Sequence, residues 1–125
     1  MYKVFNSFRN ACNGLKYCFC TQRNMVIHAV IGTVVLLSAL SLGISISGVL
    51  FLLTAVVLVL AAEVFNTALE ETVDIITEDH NHHAQNAKDA ASGAVLLASV
   101  FAVLIGLFVL GPPLWYFFKE IFLLR

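Results

Sequence analysis

The chain has 125 residues, 60% of them hydrophobic and only 12% charged, with a formal net charge of −1. So little charge cannot cover a water-soluble domain of this size, and the near-neutral balance gives no reason to infer a nucleic-acid partner. The charges are also segregated. No Asp, Glu, Lys or Arg occurs in the 39 residues between Arg23 and Glu63 or in the 29 between Asp89 and Lys119, and each gap exceeds the roughly 20 residues that cross a hydrocarbon core.

The first segment, about residues 3–22, interleaves Val4, Phe5, Phe8, Cys12, Leu15, Tyr17 and Phe19 with Asn6, Arg9, Asn10, Asn13 and Lys16. This pattern predicts an amphipathic helix lying on the membrane surface, basic on its wet side. It has no continuous apolar stretch or cleavage site of the kind a signal peptide carries. Lys3, Arg9, Lys16 and Arg23 precede the first apolar gap with no acidic residue among them, which predicts a cytoplasmic N-terminus.

As one helix, the first gap would approach about 60 Å, twice the hydrocarbon thickness. Gly43 and Gly48 bracket residues 44–47 near its middle, predicting a tight turn between antiparallel spans at about 26–42 and 48–74. A third span is expected at about 87–118. Pro112 and Pro113 should kink or shorten it rather than end it, because the apolar run continues beyond them. Trp115 and Tyr116 fit an anchor at the outer interface. The expected fold class is therefore an all-α membrane protein, one domain over residues 1–125, with a surface helix and three transmembrane helices.

The chemistry-bearing residues cluster at the end of the second span. Glu63, Asn66, Glu70 and Asp74 are spaced by three, four and four, so they share one side of a helix. Glu63 is costly in hydrocarbon unless it faces protein or a watered cleft. Clustered carboxylates suit Mg²⁺, which binds one or two of them together with nucleotide phosphates. An unpaired one can accept a proton from a hydroxyl. The same acids also suit an ion pathway or a helix end entering water. The third span opens with Ala84-Gln85-Asn86-Ala87-Lys88-Asp89, where Lys88 can meet a phosphate. Asp89 can bind a nucleotide hydroxyl, a basic side chain or a metal, or simply favour a helix start.

Cys12, Cys18 and Cys20 read as small apolar side chains in a reducing compartment, since no second pair completes a zinc site. His80, His82 and His83 read as a solvated loop. His28, following Gln22, Arg23 and Asn24, is expected near the same cytoplasmic mouth as Glu70.

At these residues the chain resembles the small prokaryotic diacylglycerol kinase and undecaprenol kinase family. The resemblance begins with Phe8-x-x-Ala11-x-x-Gly14-Leu15-Lys16 and Gln22-Arg23-Asn24-x-x-Ile27-His28. It is strongest in Glu63-Val64-Phe65-Asn66-Thr67-Ala68-Leu69-Glu70-x-x-Val73-Asp74, and closes with Ala87-Lys88-Asp89-Ala90-Ala91-Ser92-Gly93-Ala94-Val95-Leu96. It implies an inner-membrane, homotrimeric lipid kinase that uses ATP and Mg²⁺ on a lipid alcohol, either undecaprenol or 1,2-diacylglycerol, at cytoplasmic sites between subunits. By position, Glu63 is implied as the base for the substrate hydroxyl and Glu70 as a Mg²⁺ ligand. Asn66, Lys88 and Asp89 are implied to organise ATP and phosphoryl transfer, with Lys3 as a further nucleotide contact. Gln22 stands where the family often has a metal-binding glutamate, and it offers an amide oxygen without the charge. Val26 stands where many relatives carry arginine. The Arg23-Asn24-x-x-Ile27-His28 pattern is closer to the undecaprenol kinases. A non-catalytic membrane protein or a small ion-transport protein is the alternative.

Overall fold

The computed structural model describes residues 2–77 and 81–123. Four helices follow in order: α1 (Tyr2–Thr21), α2 (Arg23–Ser41), α3 (Ile46–Ile76) and α4 (His82–Leu123). The last three are long and apolar enough to cross a membrane. At about 1.5 Å per residue, α2 is about as long as a hydrocarbon core is thick, whereas α3 and α4 extend well past it.

Each boundary has a local cause. α1 and α2 are separated by Gln22, whose backbone is extended at φ −101° and ψ 110°. At the other end of α2, the N–H of Gly43 bonds to the Leu40 carbonyl and the N–H of Ile44 to the Ala39 carbonyl. With Gly43 at φ +66°, this is a Schellman stop, which satisfies two carbonyls left over at the helix end. Ser45 caps α3, its Oγ accepting from the Gly48 N–H at 3.4 Å. Asn81 Oδ1 accepts from the His83 N–H at 2.8 Å at the start of α4, a side-chain cap of the kind that favours Asn before a helix.

The tight turn thus lies at residues 42–45, and Gly48 belongs to α3 rather than to the turn. Its role is one of space: a Cβ there would meet Ile44 Cγ2 at 2.6 Å and Val109 Cγ1 at 3.2 Å. The last helix also starts five residues before the expected 87. His82 and His83 are therefore its first residues and not loop, while His80 lies outside the described residues. α4 runs through Pro112 and Pro113 without ending.

α3 is the central helix, packed against α4 on one side and α2 on the other. Six of its residues are buried: Leu52, Ala55, Val59, Glu63, Asn66 and Thr67. Near the α2–α3 turn the core is Ala39, Leu52 and Leu110. Along the α2–α3 seam, Gly32 is buried, and a Cβ there would fall 2.6 Å from Val56 Cγ1. Small residues at such seams let membrane helices approach closely. The outward surface is apolar, with Phe108 85% and Leu97 74% exposed, as befits a protein solvated by lipid tails. The protein is a multi-pass membrane protein.

Candidate functional site

The helical spacing of the acidic stripe survives intact in α3, but its members meet different surroundings. Glu63 is 2% exposed, and among the described residues no side chain donates a hydrogen bond to its carboxylate. Its backbone carbonyl accepts from Thr67 Oγ1 at 2.9 Å. His28 on α2 and Glu70 about two turns along α3 both lie within electrostatic reach of it. Asn66 is buried and bridges outward: its Nδ2 donates to Glu70 Oε1 at 3.0 Å, and its Oδ1 accepts from Ser92 Oγ on α4 at 3.4 Å. Asp74, at the wet end, is paired with Lys88 of α4.

Two contacts set α2 and the end of α1 against α3. Tyr17 Oη donates to Glu71 Oε1 at 2.5 Å, and Gly32 faces Val56. Gln22, half-buried, lies in the chain between these two contacts, at the break between α1 and α2. The Glu71 carboxylate beside Tyr17 pushes its phenol above the ordinary tyrosine range, chiefly through the hydrogen bond. Cys18 is buried beside it, whereas Cys12 and Cys20 are exposed, and all three are free thiols.

The expected site residues therefore separate into groups. Asn66 and Glu70 are hydrogen-bonded, and Glu63 lies on the same side of α3 with His28 of α2 and Glu70 within electrostatic reach; among the described residues no contact joins Gln22 to them. Lys88 lies a short way off and is engaged by Asp74. Asp89 is exposed and accepts from Gln85 Nε2 at 2.7 Å. Because α4 begins at His82, Asp89 sits in the helix's second turn, past the free N–H groups of its start. Lys3 is exposed in the first turn of α1, about 20 Å along the helix from Tyr17, and among the described residues no contact joins it to the others.

On the membrane side of Glu63 lies a cavity of about 450 Å³ between α2, α3 and α4. His28 and Val59 line its end nearest Glu63, Ser99 faces it, and Leu114 lies toward the far end. Small residues, among them Gly32, Ala55, Ala102 and Gly106, give it room. Its wall is almost wholly apolar, and Glu63, Asn66 and Glu70 do not line it. Sequence reasoning did not single out Tyr17, Ser92 or Ser99. Serines and tyrosines in apolar helices carry no periodic signal of their own, and their partners lie on other helices.

Comparison with known proteins places the chain in a family. The family described as prokaryotic diacylglycerol kinase matches residues 9–110. A diacylglycerol kinase of Synechocystis sp. is 43% identical over 109 residues, covering 86% of this chain and 62% of that relative's length. An undecaprenol kinase of Bacillus subtilis is 36% identical over 112 residues, 90% of this chain and 91% of the relative. A diacylglycerol kinase of Escherichia coli is 40% identical over 53 residues, 42% of this chain and 43% of the relative. With a family match over most of its length, the chain belongs to the prokaryotic diacylglycerol kinase and undecaprenol kinase family of small integral-membrane lipid kinases.

Proposed function

We propose that this chain, acting as a single domain, transfers the γ-phosphoryl group of ATP to the hydroxyl of a membrane lipid alcohol, 1,2-diacylglycerol or undecaprenol, with Mg²⁺. The observation that carries the reading is Glu63, a carboxylate 2% exposed on α3, about one helical turn from Val59 in the wall of the apolar slot. A lipid tail in the slot brings its hydroxyl to that carboxylate. Glu63 takes the hydroxyl proton as the lipid oxygen bonds to the γ-phosphorus. The bond from phosphorus to the bridging oxygen breaks, and ADP leaves with that oxygen.

The donor set fits Mg²⁺. Glu70 and Gln22 offer hard oxygen donors, and Asn66 orients the Glu70 carboxylate, as outer partners of metal ligands do. Among the described residues no group of three or more His, Cys, Asp or Glu converges. Mg²⁺ keeps water and phosphate oxygens and takes few protein ligands. Bound there, Mg²⁺ supplies charge neutralisation to the phosphates. Lys88, Asp89 and Lys3 are assigned to the nucleotide, with Lys88 exchanging Asp74 for phosphate.

The working unit in this reading is a homotrimer in the cytoplasmic membrane, with the N-terminus and site inside. A groove lined by Ala61, Ala62, Ala68, Ala91, Ala94 and Ala98, with Asn66 at its edge, supports it. Alanine faces admit a helix of a second copy close to the site. Labelled phosphate transfer from Mg-ATP to extracted lipid by the purified chain tests the activity, and no lipid phosphate from either alcohol sinks it. Labelling residues 81–85 from each side of sealed vesicles tests the orientation, and mass in a lipid-like environment tests the trimer.

A further inference from the structure

Glu63 is enclosed, and the donors around it are spent elsewhere. Thr67 Oγ1 bonds to its backbone carbonyl rather than to its carboxylate, and Asn66 Nδ2 goes to Glu70. Lys88 of α4 is paired with Asp74, about three turns toward the wet end of α3. An enclosed carboxylate with neither donor nor counter-charge is costly as an anion, yet it has to be an anion to take a proton.

The α2–α3 seam supplies a candidate for the missing charge. Gly32 lies against Val56. His28, one turn earlier on α2, shares the side of Gly32, while Val59 and Glu63, one and two turns later on α3, share that of Val56. The two helices run antiparallel across the turn at 42–45, so the imidazole falls at the stretch between Val59 and Glu63. It is half-buried and, with Val59, forms part of the cavity wall. Glu63 lies within its electrostatic reach.

Among the described residues no other cation faces Glu63. Arg23 is exposed, on the opposite side of α2 from the buried Met25. On α3, Glu70 is about two turns away and of the same sign as Glu63. α4 presents Val95 at that level, one turn beyond the Ser92–Asn66 contact. α1 meets α3 through Tyr17 at Glu71, about two turns from Glu63.

Resting on the lipid-kinase reading, we propose that His28 is a positioning residue for phosphoryl transfer, whose charged imidazole keeps the Glu63 carboxylate ionised inside the bundle. Histidine suits the task because its ring can carry the charge near neutral pH. It touches neither the nucleotide nor the lipid hydroxyl, and acts through Glu63 alone.

The test compares the purified full chain with His28→Gln and His28→Lys in mixed micelles containing Mg-ATP and either 1,2-dioleoylglycerol or undecaprenol, across pH. Glutamine keeps bulk and hydrogen bonding without the charge, and lysine keeps the charge without the ring. His28→Gln is expected to lose about tenfold in kcat near neutral pH, the worth of one nearby opposite charge, with the KM for ATP unchanged. Its activity should return as pH rises and Glu63 ionises unaided. His28→Lys is expected to keep most of the native rate at neutral pH. A second readout needs no turnover: the infrared carbonyl band of a protonated carboxylic acid, assigned to Glu63 by its loss in Glu63→Gln, should be stronger in His28→Gln than in the native chain. Equal bands and superimposable pH profiles in those two chains overturn the proposal and leave the kinase reading intact. So does a loss that neither alkaline pH nor lysine restores, which makes His28 a packing residue. A His28-dependent band with no lipid phosphate from the native chain supports the pairing of His28 with Glu63 and overturns the kinase reading.

Discussion

Asn66 Nδ2 donates a 3.0 Å hydrogen bond to Glu70 Oε1, one helical turn farther along α3, while Asn66 itself is tied to α4 through Ser92. One metal-ligand candidate is thereby fixed by two helices. Loss of an outer partner of this kind typically costs about 10- to 100-fold in metal affinity or activity. Asn66→Leu is therefore expected to raise the Mg²⁺ concentration for half-maximal lipid phosphorylation by that order. An unaltered Mg²⁺ titration would show that Asn66 serves packing alone.

Gln22→Glu should act in the opposite direction. An anionic ligand offsets cation dehydration better than an amide does, so the variant is expected to need less Mg²⁺, and Glu70→Gln more. Turnover at saturating Mg²⁺ need not rise, since tighter ground-state binding does not by itself stabilise the transition state. Full activity of Glu70→Gln at low Mg²⁺ would remove Glu70 from the metal.

Glu63→Gln keeps the size and burial of the side chain but cannot take the proton. General-base loss is worth about 10²- to 10⁴-fold, so phosphate transfer should fall by that order with helix content and assembly preserved. Near-native turnover in a well-folded Glu63→Gln sends the proton elsewhere, to phosphate or water.

The Tyr17–Glu71 bond ties α1 to α3 and has a defined pH window. The phenol is pushed above its ordinary range in the folded state. Its contribution is therefore complete below the ordinary tyrosine value and is lost only as pH rises through the raised one. Amide exchange in α1 is expected to show constant protection through neutral pH and fraying in strong alkali. Tyr17→Phe should fray α1 at neutral pH, roughly severalfold for one exposed bond. Identical exchange in both proteins would mean that Cys18 burial alone holds the helix.

Gly32 and Val56 set the α2–α3 spacing. Because an added Cβ would lie 2.6 Å from Val56 Cγ1 and β-branched valine has little rotamer freedom in a helix, Gly32→Ala should cost about 1–3 kcal/mol. Paired with Val56→Ala, most of that loss should return. Thermal unfolding in mixed micelles measures both, and an unshifted midpoint in Gly32→Ala would show that the helices separate freely.

The sequence by itself determined the three spans, since hydrocarbon thickness and uninterrupted apolar runs leave few other solutions. It also determined the shared side of Glu63, Asn66, Glu70 and Asp74, because helical periodicity is a local property. It left open what those residues face. Only the tertiary structure decided that Lys88 meets Asp74, that Tyr17 reaches Glu71, and that Gly48 serves close packing rather than the turn. The same holds for His82, whose helical state follows from the Asn81 cap at the head of α4. Ser99 is the clearest instance. In sequence it is one small residue in an apolar run, and only helix packing encloses its hydroxyl without a hydrogen-bond partner among the described residues. Periodicity fixes the direction of a side chain on its own helix, whereas its partner depends on how neighbouring helices register against it.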